Sequence, residues 1–143
     1  ATAQAIDTLR ANYPTQKFIG IEPMIKTAAI LSKSHTIAVC ATPSTLSSER
    51  YRKLVQKFGS QLQIIEPDCR DWARMIEEDD INYEIIKQTI NKVCEQGADI
   101  IVLGCTHYHW IKDYTIQISA GRAKIIEPSE SIGRRVEELL KLR

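Results

Sequence analysis

Residues 102–108 read Val-Leu-Gly-Cys-Thr-His-Tyr, which puts a thiol (Cys105) and an imidazole (His107) two positions apart. Imidazole can take up or deliver a thiol's proton, so the pair is a candidate nucleophile, base or acid. The run 99–103 that precedes it is short, β-branched and bounded by Gly97 and Gly104. That is the pattern of a strand buried on both faces. Cys105, Thr106 and His107 then fall at the strand's carboxyl end, where open α/β sheets place their ligand sites. For a lone Cys-x-His the competing reading is packing and capping, with Cys105 a small buried hydrophobe and His107 a polar residue at a helix start.

Two patterns alternate along the chain and must position this pair. Strand-like apolar runs occur at 18–21, 36–40, 62–65, 99–103 and 124–126. Helical stretches occupy 2–12, 24–32, 47–58, 81–96, 110–119 and 131–142. The longest helix carries Ile81, Ile85, Ile86, Ile90 and Val93 at helical spacing, a core-facing stripe. Ser44, Ser47 or Ser48 can cap the helix before Tyr51, and Gly97 stops the one before Asp99. Alternation with connections this short implies βαβ units, a mainly parallel sheet flanked by helices, and right-handed crossovers. The predicted fold is an α/β three-layer sandwich.

Composition narrows the function classes. A chain of 143 residues with 43% hydrophobic and 26% charged residues fits a soluble globular domain with a real core. A formal net charge of +1 with scattered basic residues (Arg50, Arg52, Lys53 and Lys57 lie along one helix beside Glu49) speaks against a nucleic-acid or membrane surface. No run approaches the ~18 apolar residues of a membrane span, and the opening residues do not read as a signal peptide. Cys40, Cys69, Cys94 and Cys105 are widely spaced, without a Cys-x-x-Cys pair. This points to a reducing, cytoplasmic setting and away from a disulfide framework or a structural zinc site.

In a parallel sheet the strand carboxyl ends open on one edge. The residues just past the strands are Glu22-Pro23, Thr42-Pro43-Ser44-Thr45, Pro67-Asp68-Cys69, Cys105-Thr106-His107 and Glu127-Pro128-Ser129. That edge is expected to gather two thiols, several hydroxyls, an imidazole and three carboxylates, with helix N-termini pointing at it. Hydroxyls and helix N-termini are natural donors to a carboxylate. The edge suits a small anionic molecule held beside a reactive thiol.

Gly104-Cys105-Thr106-His107-Tyr108 after an Ile-Val-Leu strand resembles the second-cysteine motif of the bacterial glutamate racemases, in the aspartate/glutamate racemase family. Ile19-Gly20-Ile21-Glu22-Pro23 with Ile25-Lys26, Ala41-Thr42-Pro43-Ser44-Thr45-Leu46 with Ser48 and Tyr51, and Ile125-Ile126-Glu127-Pro128-Ser129 are similar to other family segments, in the same order. The resemblance implies a cofactor-independent two-base mechanism that interconverts L- and D-glutamate and supplies D-glutamate for peptidoglycan. One cysteine thiolate removes the α-proton, and a second cysteine on the opposite face returns one. A free thiol has a pKa near ~8.5 and can be tuned to act as base or acid near neutrality.

Carried over by position, the resemblance makes Cys105 one of the two cysteines, with His107 as its hydrogen-bond or proton partner. Thr42, Thr45 and Thr106 would bind the substrate carboxylate. The family's supporting acid, eight residues past a cysteine that follows the third strand, falls on Glu77 counting from Cys69, with Glu78 as a rival. Where the family continues with Pro, this chain has His109-Trp110. On a true strand, Cys105, His107 and His109 would alternate onto one side and could ligate zinc. A helix opening at Thr106 breaks that alternation, so no metal site is expected, and the resemblance implies no cofactor.

The family's first cysteine motif, Ala-Cys-Asn-Thr-Ala, and its Asp-Ser-Gly motif are not found in the sequence. Cys40 falls inside a strand and Cys94 on the long helix, so neither stands in for the first cysteine. The expectation is a C-terminal portion of a pseudosymmetric two-domain racemase that carries one catalytic half and is inactive alone. Residues 1–22 would end the first domain, 23–120 form the second, and 121–143 return to the first. A related aspartate-type racemase is one alternative, although that group commonly has Glu in place of His107. A non-catalytic module that binds an acidic amino acid is another. The expected partner is the small-molecule substrate glutamate, with no nucleic acid or membrane, and a homodimer stays open.

Overall fold

The computed structural model describes residues 2–141. Its sheet has four parallel strands in the order β2-β1-β3-β4: β1 (Thr36–Cys40), β2 (Gln63–Ile65), β3 (Ile100–Leu103) and β4 (Lys124–Ile126). The central strands β1 and β3 are buried at every position, as their unbroken apolar runs require.

Alternation along these strands divides the core into two layers. Ile37, Val39 and Ala41 with Ile100 and Val102 face the layer containing Ile25, Ala28 and Tyr51. Ala38 and Cys40 with Ile101 and Leu103 face the layer containing Trp72, Ile86, Ile90, Tyr108 and Ile111. Each such Ile or Leu contributes about 1.5–3 kcal/mol by leaving water.

Helices α1 (Thr2–Asn12), α2 (Ile25–Leu31), α3 (Pro43–Leu46) and α4 (Glu49–Phe58) precede β2; α5 (Trp72–Glu77) and α6 (Tyr83–Glu95) join β2 to β3. A 3₁₀ helix (Thr106–Ile111) and α7 (Lys112–Ser119) join β3 to β4, and α8 (Ser129–Lys141) follows. The chain leaves β1 for β2 on one side of the sheet, then crosses back to β3 on the other side of β1. The connecting helices change faces with that reversal, as right-handed crossovers demand. The crevice between the carboxyl ends of β1 and β3 is therefore a topological switch point.

Several expected elements are altered. Residues 18–21 form no strand: the Phe18 carbonyl accepts from Arg10 Nη2 at 3.2 Å, and Gly20 lies against Ile6 of α1. A strand needs a neighbouring ladder, and this segment takes a side-chain donor and an apolar contact instead. Ile85, assigned to the core stripe, is 46% exposed, whereas Ile86, Ile90 and Val93 are buried. The helices α3 and α5 are additional; each is shorter than two full turns and depends on tertiary contacts rather than propensity. Ser48 is the cap of α4, accepting from Tyr51 N at 3.2 Å.

At the opposite end of the sheet, Asp99 fastens the loop after α2. Its carboxylate accepts from Ser32 Oγ (2.6 Å), Lys33 N (2.6 Å) and Ser34 N (2.8 Å). Partial burial raises its pKa, but these donors outweigh that and leave it below the ordinary aspartate value. A carboxyl depressed in the folded state stabilises above its unfolded pKa, and that contribution is lost as pH falls through the folded value. The chain is expected to lose stability below pH ~4, starting from the unfolded Asp value of about 3.9. In Asp99→Asn that acid-dependent slope is shallower, which urea titrations at several pH values would read.

Candidate active site

The switch point brings Cys105 and the Thr42–Thr45 turn side by side. Gly104 N donates to Cys40 O at 2.8 Å, and an added Cβ on Gly104 would meet Ala41 Cβ at 3.1 Å. A side chain at this position would press on the neighbouring strand end, so glycine suits the close approach. Cys105 ends the extended backbone (φ −129°, ψ 142°) and the 3₁₀ helix starts at Thr106. The thiol is half-buried, Thr106 is exposed and His107 is half-buried.

Cys105 Sγ lies 3.5 Å from His107 Nδ1, and His107 Nε2 lies 2.7 Å from Glu77 Oε1. The imidazole thus stands between a thiol and a carboxylate, each addressing a different ring nitrogen. A proton on Nε2 shared with Glu77 leaves Nδ1 as the acceptor facing the thiol. Glu78 turns away and pairs with Arg74 at 2.9 Å. Adjacent helix positions differ by about 100° in direction, so the end of α5 can aim only one of the two acids at His107. The Glu77 side chain is 61% exposed, so the ion pair is screened by water.

The hydroxyl group of Thr42 is 3.1 Å from Thr45 Oγ1 and 3.3 Å from Ser44 Oγ, a cluster of half-buried and exposed donors past β1. Thr106 has no side-chain hydrogen bond among the described residues, and it starts the 3₁₀ helix next to the thiol.

The edge differs from expectation in its second thiol. Cys69 is only 2% exposed and belongs to the core layer with Cys40. Its interaction with Cys40 and its burial both hold the thiol protonated, far above the ordinary range. The chain dives inward after Pro67-Asp68, so Cys69 lies beneath the edge, where its carbonyl accepts from Tyr108 Oη at 2.9 Å. The three edge carboxylates are also occupied: Glu22 by Arg50 Nε (2.6 Å), Asp68 by Arg70 Nε (2.9 Å) and Glu127 by Lys112 Nζ (3.1 Å).

His107 and His109 do not share a side. His107 meets Glu77, while His109 Nδ1 lies 3.5 Å from Glu127 Oε1. The 3₁₀ conformation removes the alternation a strand would impose. No cluster of three or more His, Cys, Asp or Glu arranged for a metal occurs among the described residues.

Tyr108 and Glu127 support the site in ways that residue type and spacing alone do not mark. Tyr108 is wholly buried against Trp72, with ring centroids 5.3 Å apart. An aromatic between two polar residues at the start of a helix is the signal that could have marked it as an anchor. Glu127 follows β4, and its side chain is only 5% exposed. Burial raises its pKa, but bonds from Ser129 and Lys112 outweigh this and keep it below the ordinary glutamate value.

The profile of the Asp/Glu/hydantoin racemase family matches residues 1–121. The chain is 30% identical to the glutamate racemase of Pseudomonas aeruginosa strain UCBPP-PA14 over 147 aligned positions, covering 100% of this chain and 56% of that protein. It is 36% identical to the glutamate racemase of Aliarcobacter butzleri, covering 97% of this chain and 56% of that one. It thus spans about half the length of these curated relatives. Among solved structures, Escherichia coli glutamate racemase superposes with a TM-score of 0.74 at 20% identity, over 97% of this chain and 63% of that one. Francisella tularensis glutamate racemase superposes at 0.60 with 26% identity, over 81% and 46%. With the family profile matched over most of its length and the same fold in the solved racemases, the chain belongs to the Asp/Glu/hydantoin racemase family.

Proposed function

We propose that this chain supplies one half of a cofactor-independent glutamate racemase site, an isomerase of the cytoplasm that provides D-glutamate for peptidoglycan. The observation that carries the reading is the line from Cys105 Sγ through the His107 ring to Glu77. In it, Cys105 removes or returns the α-proton on one face of the substrate. His107 takes the thiol proton at Nδ1, and Glu77 stabilises the resulting imidazolium through Nε2. Thr42, Thr45 and Thr106 hold the substrate carboxylate beside the thiol, supported by the Thr42–Thr45 hydroxyl pair past β1 and by the place of Thr106 next to Cys105 at the start of the 3₁₀ helix.

Racemisation needs a second acid on the opposite face. Among the described residues, Cys40 and Cys69 are buried and Cys94 packs against the core from α6. None is placed to oppose Cys105. In this reading residues 1–22 finish a first domain, 23–120 form the second, and 121–143 return toward the first.

The reading predicts that L- or D-glutamate slows alkylation of Cys105 by iodoacetamide severalfold, and aspartate less. Circular dichroism should detect no inversion of either glutamate enantiomer by the chain alone. Equal protection by aspartate would favour an aspartate-type enzyme; no protection by either, or inversion by this chain alone, would overturn the half-site reading.

A further inference from the structure

We propose that Glu127 is a positioning residue that clamps the 3₁₀ helix through Lys112 and His109 and thereby holds His107 within reach of Cys105. This rests on the reading of Cys105 as the reactive thiol, and it assigns a role to residues outside the thiol–imidazole–carboxylate line.

The 3₁₀ helix Thr106–Ile111 has six residues. Such helices seldom exceed three or four residues, because their hydrogen bonds are poorly aligned. This one therefore needs outside support, and on the core side it has it: Tyr108 is bonded to the Cys69 carbonyl and Ile111 is buried. On the other side support converges on one carboxylate. Glu127 Oε1 receives Lys112 Nζ at 3.1 Å and faces His109 Nδ1 at 3.5 Å, while Oε2 receives Ser129 N at 3.2 Å and Ser129 Oγ at 2.5 Å. Lys112 follows the last residue of the 3₁₀ helix, and His109 lies in its middle.

Glu127 itself is fixed because β4 is in register with β3, Ile126 opposite Val102. The carboxylate thus ties the catalytic turn to the sheet. Among the described residues His107 has no such anchor of its own: its partners are the thiol and the exposed Glu77. Its distance from Sγ is therefore set by the helix that carries it. In this chain His109 occupies the position after Tyr108, so the imidazole that completes the clamp lies two residues from the one that serves the thiol.

A clamp and a simple charge effect predict different signs. If Glu127 acted only by its charge, Glu127→Gln would favour the thiolate and Lys112→Met would disfavour it, moving the pH profile of thiol reactivity in opposite directions. If it acts as a clamp, Glu127→Gln, Lys112→Met and His109→Gln all release the helix, and all three slow alkylation of the thiol.

The experiment measures the alkylation rate of Cys105 by iodoacetamide against pH, with mass spectrometry locating the adduct among the cysteines. The expected result is roughly tenfold slower alkylation for Glu127→Gln near neutral pH, where the thiol relies on His107 as its proton acceptor. His109→Gln and Lys112→Met slow it by less. Glu130→Gln, which removes an exposed charge on the same cavity wall, leaves the rate unchanged. Opposite signs for Glu127→Gln and Lys112→Met, or an equal slowing in Glu130→Gln, would overturn the clamp. If Glu127→Gln fails to fold, an unchanged rate in both His109→Gln and Lys112→Met overturns it. The readout needs no turnover, so a failed racemase reading would leave this result standing and the reverse also holds.

Discussion

Cys105→Ala is expected to lower the exchange of glutamate's α-proton with solvent by about 10²–10⁴-fold, the range a positioned acid–base group contributes. The thiol stands half-exposed at the switch point, and Ala keeps its small volume while removing the proton carrier. His107→Asn removes the Nδ1 acceptor 3.5 Å from Sγ and is expected to slow exchange by about 10²-fold, since the thiol is left to ionise unaided. Glu77→Gln should cost less, because its side chain is 61% exposed and its pair with His107 is screened. The ranking Cys105, His107, Glu77 is what initial rates of α-proton loss in deuterated water would measure. A Glu77 effect as large as that of Cys105 would contradict it.

Trp72→Ala carries the largest expected effect on stability, a loss of about 3–5 kcal/mol. Trp72 is 1% exposed, opens α5 and packs against Tyr108, so one side chain supports both the helix that ends in Glu77 and the 3₁₀ helix that carries His107. Truncation leaves a cavity under both. Trp72 Nε1 is buried without a hydrogen-bond partner among the described residues, so Trp72→Phe strands no acceptor there and is expected to cost about 2 kcal/mol, its smaller ring leaving a smaller cavity. Urea unfolding with an unchanged slope would establish both values. A Trp72→Phe loss equal to that of Trp72→Ala would contradict this ranking.

The parts of the fold legible in the sequence are those whose burial is complete. Thr36–Cys40 and the run around Ile100–Leu103 are apolar on both faces, and the structure places them as the two central strands. Residues 18–21 have the same local chemistry but no strand beside them, and pairing, not composition, decides a strand. The six-residue α5 has too little periodicity to be seen; Trp72 and Met75 hold it by packing alone.

The candidate site divides in the same way. Cys105 and His107 were legible because a strand end and a two-residue spacing fix their neighbourhood. The choice of Glu77 over Glu78 depends on the direction in which α5 ends, which spacing from Cys69 alone does not determine. Cys69 shows the reverse case: its place after a strand suggests an open edge, yet the turn at Pro67-Asp68 sends it into the core. In the sequence Glu127 is one more acid at a turn; only the fold brings Lys112, His109 and Ser129 together on it.

The central claim is that Cys105 moves a proton on one face of glutamate. The most direct measurement incubates the purified chain with each enantiomer in deuterated water and resolves the recovered glutamate by configuration. The account predicts deuterium at the α-carbon of one enantiomer, with configuration retained, and no label when Cys105 is replaced by Ala. Label in neither enantiomer, or label that survives Cys105→Ala, would contradict it.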